Sequence, residues 1–134
     1  MAKVTVMPTM RYRDAARALD WLCRAFGFEK RLVVPGPDGT IAHAELTFGN
    51  GMVMLGSMRD DDFGQLVKTP ADLGATTQSA YVVVADVDAH YERAKAAGAE
   101  VVLDIEDKPY GGRGYTCRDP ERHVWNFGSF DPWA

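Results

Sequence analysis

Two hydrophobic periods run along this chain, and they change over in the same order twice. Val4–Met10 is rich in apolar and β-branched residues and is expected to be a strand. From Ala15 the spacing lengthens: Ala15, Ala18, Leu19, Leu22 and Phe26 share one helical face. Asp14 stands where an N-cap would accept a free backbone N–H, and Gly27 where a left-handed residue would end the helix. Period two then returns in Phe28–Val34, Ile41–Phe48 and Met52–Ser57, divided by Pro35-Gly36-Pro37-Asp38-Gly39 and Gly49-Asn50-Gly51. Residues 58–78 hold no sustained period. Their Arg59-Asp60-Asp61-Asp62 run reads as a solvated linker rather than a metal site, because clustered like charges usually face water.

The second half repeats the first. Ser79–Ala85 is an expected strand. Asp86 caps a helix with Val87, Tyr91, Ala94 and Ala97 on one face, and Gly98 ends it. Strands follow at Glu100–Leu103, Tyr115–Asp119 and His123–Ser129, with a turn-rich loop at Asp107–Gly114 and a turn at Pro120-Glu121-Arg122. A shift of 72 positions lays Asp14 on Asp86 and Val53–Ser57 on Trp125–Ser129, where Gly-Ser matches outright. Such repetition marks supersecondary units that bury an apolar face against a neighbour. The expected architecture is α+β: two βαβββ modules in tandem, residues 1–57 and 79–134, joined by the 58–78 linker in a single domain. They would form a curved, partly closed mixed sheet with the helices outside.

Composition narrows the partners. A net charge of −4 without a Lys/Arg block argues against nucleic acid. No apolar run approaches the ~18–20 residues of a membrane span. Met1-Ala2-Lys3-Val4 leads directly into a strand pattern, with no signal peptide expected. Cys23 and Cys117 form neither a CxxC nor a metal spacing and suit reduced thiols in the cytoplasm.

Specific stretches carry a family resemblance. Arg13-Asp14-Ala15-Ala16 through Ala25-Phe26-Gly27-Phe28 resembles the first helix of the vicinal oxygen chelate superfamily, which includes glyoxalase I, bleomycin-resistance proteins and extradiol dioxygenases. Val84–Tyr91 through Gly98 resembles its second helix. Pro109-Tyr110-Gly111-Gly112-Arg113-Gly114-Tyr115 and Arg118-Asp119-Pro120 through Trp125-Asn126-Phe127-Gly128 resemble its C-terminal motif. The resemblance implies a divalent metal held by His or Gln on the first strand of each half and Glu on the last. Those places fall here at Met7, Ser79 or Ala80, Met54 and Asn126, so neither a metal nor another cofactor is expected. It also implies a homodimer, which completes the cup-shaped sheets.

Candidate site residues follow from strand parity. If Ala42, Ala44, Leu46 and Phe48 face the helices, His43 and Glu45 face the concave side. The 72-residue shift adds Tyr115 beside Cys117, and Asn126 opposite Met54; Met7 and Met52 extend the wall. Tyr110 and Arg113 stand in the Gly-rich loop, where they would gate or clamp a ligand. A concave site of apolar wall and few polar groups is usual for a small organic molecule. Cys117 is also weighed as a nucleophile, against a small buried apolar residue. His90 is expected on a solvated helix face and His123 in a turn. Three functions remain open. One is a metal-free protein that sequesters a small organic molecule, the acidic balance suiting a neutral or cationic one. A second is a glyoxalase-like lyase or isomerase with His43 or Glu45 as acid or base. The third is a structural or regulatory module whose cavity is filled.

Overall fold

The computed structural model of the protein describes residues 2–134. Met1, counted in the first module by the sequence reading, lies outside the described residues. The first module comprises β1 (Thr9–Tyr12), α1 (Ala15–Phe26), β2 (Glu29–Pro35), β3 (Ile41–Phe48) and β4 (Gly51–Ser57). The linker contains a short helix, α2 (Pro70–Leu73). The second module comprises β5 (Ala80–Val83), α3 (Val87–Ala96), β6 (Glu100–Asp107), β7 (Arg113–Arg118) and β8 (Val124–Gly128). The tandem βαβββ modules are present, as two open four-stranded mixed sheets of order β1-β4-β3-β2 and β5-β8-β7-β6. β1 and β5 run parallel to their partners; all other pairs are antiparallel.

Both long helices form as the capping residues require. The side chain of Asp14 accepts from Arg17 N–H, and that of Asp86 from Ala89 N–H. Gly27 closes α1 at φ 87°. A side chain there would also crowd the Arg93 guanidinium, 3.2 Å from a Cβ, which crosses from α3 to the Cys23 and Arg24 carbonyls at the end of α1.

One element begins later than its composition indicates. Val4–Met10 was expected as a strand, yet β1 spans Thr9–Tyr12 and Val6 is exposed. Pro8 explains the start. Its carbonyl accepts from Met54 N–H at 2.9 Å, but it has no N–H to return to the ladder.

The two modules share one core. Phe26 is fully buried among Trp21, Trp125 and Phe127, with ring centroids 4.6–5.4 Å away. His90, expected at the surface, stands in this core. Its Nε2 donates to the Phe26 carbonyl at 2.8 Å, so Nδ1 is the nitrogen that accepts from the Tyr115 hydroxyl at 2.7 Å. A short helix packed on a second module leaves no solvated face at that position, and the local Glu92-Arg93 polarity misleads.

A buried carboxylate joins the modules at the other end. Asp119 Oδ2 accepts from the Tyr12 hydroxyl (2.7 Å) and Trp125 Nε1 (3.0 Å), while Oδ1 accepts from the Glu121 and His123 backbone N–H groups (3.0 and 3.1 Å). Burial first, and Asp119 second, push the Tyr12 phenol well above its ordinary pKa. Tyr12→Phe removes one charge-assisted hydrogen bond from this group and should cost about 1.5–3 kcal/mol in urea unfolding. A change below about 0.5 kcal/mol would show that the remaining donors suffice.

Burial lowers the His90 pKa below 6.5. The unfolded chain therefore binds the extra proton first. The stabilisation is complete above pH 6.5 and is lost as pH falls toward the folded pKa. The stability gap between the native chain and His90→Gln should be wider at pH 7 than at pH 5. A gap that widens on acidification would reverse this sign.

Candidate functional site

Strand parity builds one open face on the first sheet. Met10 and Tyr12 of β1 turn inward to the core, so Thr9 and Arg11 turn outward. Thr9 lies beside Met54 and Arg11 beside Gly56; Glu45 opposes Met54 on its other flank; Leu32 and Val34 oppose Glu45 and His43. Ala44 and Leu46 are fully buried on the opposite side, so the expected parity of β3 is the one observed. Met52 shares the Met54 face. A depression of about 230 Å³ opens here, lined by Thr9, Arg11, His43, Met54, Gly56 and Phe63 and reaching down to Met10, Ala42 and Leu55.

Phe63 and Arg11 were missed by the sequence reading. Phe63 belongs to the 58–78 segment, read as a solvated linker. The Asp run instead builds a tight turn: Asp61 Oδ1 accepts from Gly64 N–H at 2.8 Å and Asp61 pairs with Arg59 at 3.4 Å. That turn delivers the Phe63 ring beneath Arg11, whose guanidinium carbon is 4.8 Å from the ring centroid. Arg11 was missed because the strand was ended at Met10. Its alternation with Tyr12 across the sheet was the available signal.

His43 and Glu45 meet on this face. His43 Nε2 lies 2.9 Å from Glu45 Oε2, and Arg31 lies 3.8 Å from Glu45 Oε1. Asn126 is on the corresponding face of the second sheet, where its Oδ1 accepts from Thr116 Oγ1 at 2.8 Å. Its Nδ2 donates to Ser79 Oγ (2.8 Å) and to the Ala80 carbonyl (3.0 Å). It does not line the depression of the first sheet. Met7 is half-buried just ahead of β1.

Besides Asn126, three expected site residues stand elsewhere. Tyr115 is a core residue, held by His90 and packed on Phe127. The repeat slips by one position: Leu55 and Phe127 differ by 72, but their partners Ala44 and Tyr115 differ by 71. Five residues separate Arg118 from its partner Val124, where four separate Thr47 from Met52. That extra turn residue moves Tyr115 and Cys117 inward and puts Thr116 outward. Arg113 shares Tyr115's parity and is bound to Asp88 of α3 and Asp107 (3.1 and 3.3 Å), so it is not a free clamp. Tyr110 is exposed and packs edge-on against Phe130, 5.1 Å away.

The residues at the family's metal places do not fit a divalent ion. Two are thioethers, and the Asn126 amide is committed at both ends to Thr116, Ser79 and Ala80. Among the described residues no three His, Cys, Asp or Glu side chains converge.

A second hollow of about 280 Å³ opens beside Tyr12, Arg17, Trp21 and Glu121. Its carboxylates are structural. Glu121 accepts the Arg13 and Asp14 backbone N–H groups, and Asp119 is the seam described above.

The model of the Glyoxalase/Bleomycin resistance protein/Dioxygenase superfamily matches residues 5–127. The chain belongs to that superfamily. An uncharacterized Mycobacterium bovis protein is 39% identical over 121 residues, covering 90% of this chain and 80% of the relative. TioX from Micromonospora sp. ML1, a crystal structure, is 39% identical with a TM-score of 0.72, covering 92% of this chain and 98% of TioX. The fosfomycin resistance protein FosX from Mesorhizobium loti is 15% identical with a TM-score of 0.65, covering 99% and 97%, a likeness of fold alone. No helix of this superfamily member, among the described residues, is long and apolar enough to cross a membrane.

Cys117 does not behave as a nucleophile should. It is fully buried, and burial followed by Asp119 pushes its thiol up to about 12. Ellman's reagent should label Cys117 only on unfolding, while half-exposed Cys23 reacts in the native state. Rapid native labelling of Cys117 would contradict the core placement.

Proposed function

We propose that this superfamily member is a metal-independent binding protein that sequesters a small organic molecule on the open face of its first sheet. The observation that carries this reading is the depression lined by Met10, Met54, Leu55 and Phe63 together with a few polar groups, Thr9, Arg11 and His43. The poor fit of Met7, Met54, Ser79 and Asn126 to a divalent ion supports the metal-independent part. A role in antibiotic resistance would be consistent with neighbours of the same fold that are named fosfomycin resistance proteins. Thermal unfolding of EDTA-treated protein against a small-molecule library is the test. A true ligand at 100 times its Kd stabilises by about 2.7 kcal/mol. Stabilisation that appears only after a divalent ion is added would overturn the reading.

The His43–Glu45 contact favours one second reading, a lyase or isomerase. Glu45 holds Nε2, so Nδ1 would take the substrate proton and Glu45 would stabilise the resulting imidazolium. Conversion of a bound molecule that His43→Gln abolishes would favour this reading over sequestration.

A homodimer is part of the proposal. Tyr81, Val83 and Leu103 leave 42%, 40% and 59% of their surface exposed on the second sheet, and Leu32 leaves 43% on the first. A second copy would cover these half-cups. Light scattering should give about twice 14.8 kDa, and a mass near 14.8 kDa at micromolar concentration would refute the dimer.

A further inference from the structure

We propose that Arg11 anchors an anionic oxygen group of the ligand, a carboxylate, phosphonate or phosphate, carried on an apolar or aromatic body that lies over Met54 and Phe63. This rests on the reading of the first sheet's face as a binding surface, and it names the class of molecule that face takes.

A guanidinium has five N–H donors. In Arg11, Nη1 donates to the Ser57 carbonyl at 3.1 Å, and the guanidinium carbon lies 4.8 Å from the centre of the Phe63 ring. No carboxylate among the described residues lies within ion-pair distance of it. Other arginines of the chain are paired: Arg59, the cation acting on Arg11, with Asp61, Arg13 with Asp72 and Arg31 with Glu45. Arg11 is therefore a half-buried cation with donors left over, and it borders the depression.

The acidic group on the same face is already satisfied. Both Glu45 oxygens are engaged, by His43 and by Arg31. The charge this face offers to an incoming molecule is that of Arg11, opposite to the cationic preference suggested by the chain's net charge. The Phe63 ring lies over the guanidinium and attracts it without supplying a counter-charge. Burial, then Arg59, lowers the Arg11 pKa, while Asp61, beyond ion-pair distance and paired with Arg59, acts the other way. Gly56 makes the placement possible. A Cβ there would stand 3.3 Å from Arg11 Nη1 and 3.0 Å from the Ala42 carbonyl oxygen. The fork geometry of a guanidinium suits an oxyanion that presents two acceptors.

The test is an amide NMR titration of the full chain with phenylphosphonate, its neutral counterpart benzyl alcohol, and inorganic phosphate. Phenylphosphonate should shift the Thr9, Gly56 and Phe63 signals saturably and bind at least tenfold tighter than benzyl alcohol. Inorganic phosphate, which lacks the aromatic body, should bind more weakly than phenylphosphonate. Arg11→Gln should cost phenylphosphonate tenfold or more while changing benzyl alcohol less than twofold, and Arg11→Lys should retain part of the preference. The amide spectra of both variants report whether the fold is kept. Equal binding of anionic and neutral probes on this face would remove the anchor and leave the binding face standing. Unchanged phenylphosphonate affinity in both variants would also overturn the anchor. No shift on this face with any probe would overturn both readings.

Discussion

The arrangement depends on the buried Asp119 carboxylate. A carboxylate removed from water is tolerated only when its lone pairs are satisfied, and here four donors converge on it. They come from β1 of the first module and from the last turn and β8 of the second. Satisfying that group therefore fixes the start of α1 against the β7–β8 turn. Glu121 of the same turn then accepts the Arg13 and Asp14 N–H groups ahead of α1. At the opposite end His90 performs the matching task, joining Phe26 of one module to Tyr115 of the other. Between these two polar pins the aromatic residues Trp21, Phe26, Trp125 and Phe127 pack as one core.

This seam determines where chemistry is available. Each sheet spends one face on its helix and the shared core, which leaves the other face open. On the first sheet that face carries Thr9, Arg11, His43, Glu45 and Met54, and the linker adds Phe63. On the second sheet the Asn126 amide is absorbed by Thr116, Ser79 and Ala80. The two halves of the repeat have thus diverged. The first keeps a charged and apolar surface, and the second a self-satisfied polar cluster beside exposed Tyr81, Val83 and Leu103.

Much of this was legible in the sequence because it rests on local rules. Asp14, Asp86 and Gly27 cap helices through their own side chains or backbone, and strand alternation placed His43 and Glu45 opposite Ala44 and Leu46. The misplacements arise where distant residues decide. Tyr115 and Cys117 were put on the wrong face because one additional residue in the β7–β8 turn shifts β7 against the repeat. His90 looked solvated because the module that buries it lies more than 60 positions away in the chain. Phe63 carried no periodic signal, since an irregular turn sets its position. Arg11 was lost when β1 was ended early, on a β-branched stretch that Pro8 separates from the ladder.

The central claim is that ligands are received on the open face of the first sheet rather than in the hollow beside Trp21. Methionine ε-methyl groups labelled with carbon-13 report on it directly, because Met54 lines the depression on that face and Met52 shares its parity, while the Trp21 indole borders the other hollow. A molecule that stabilises the protein should shift the Met54 methyl signal, with Met52 beside it, and leave the Trp21 indole unmoved. A shift of the Trp21 indole with Met52 and Met54 unchanged would contradict the account.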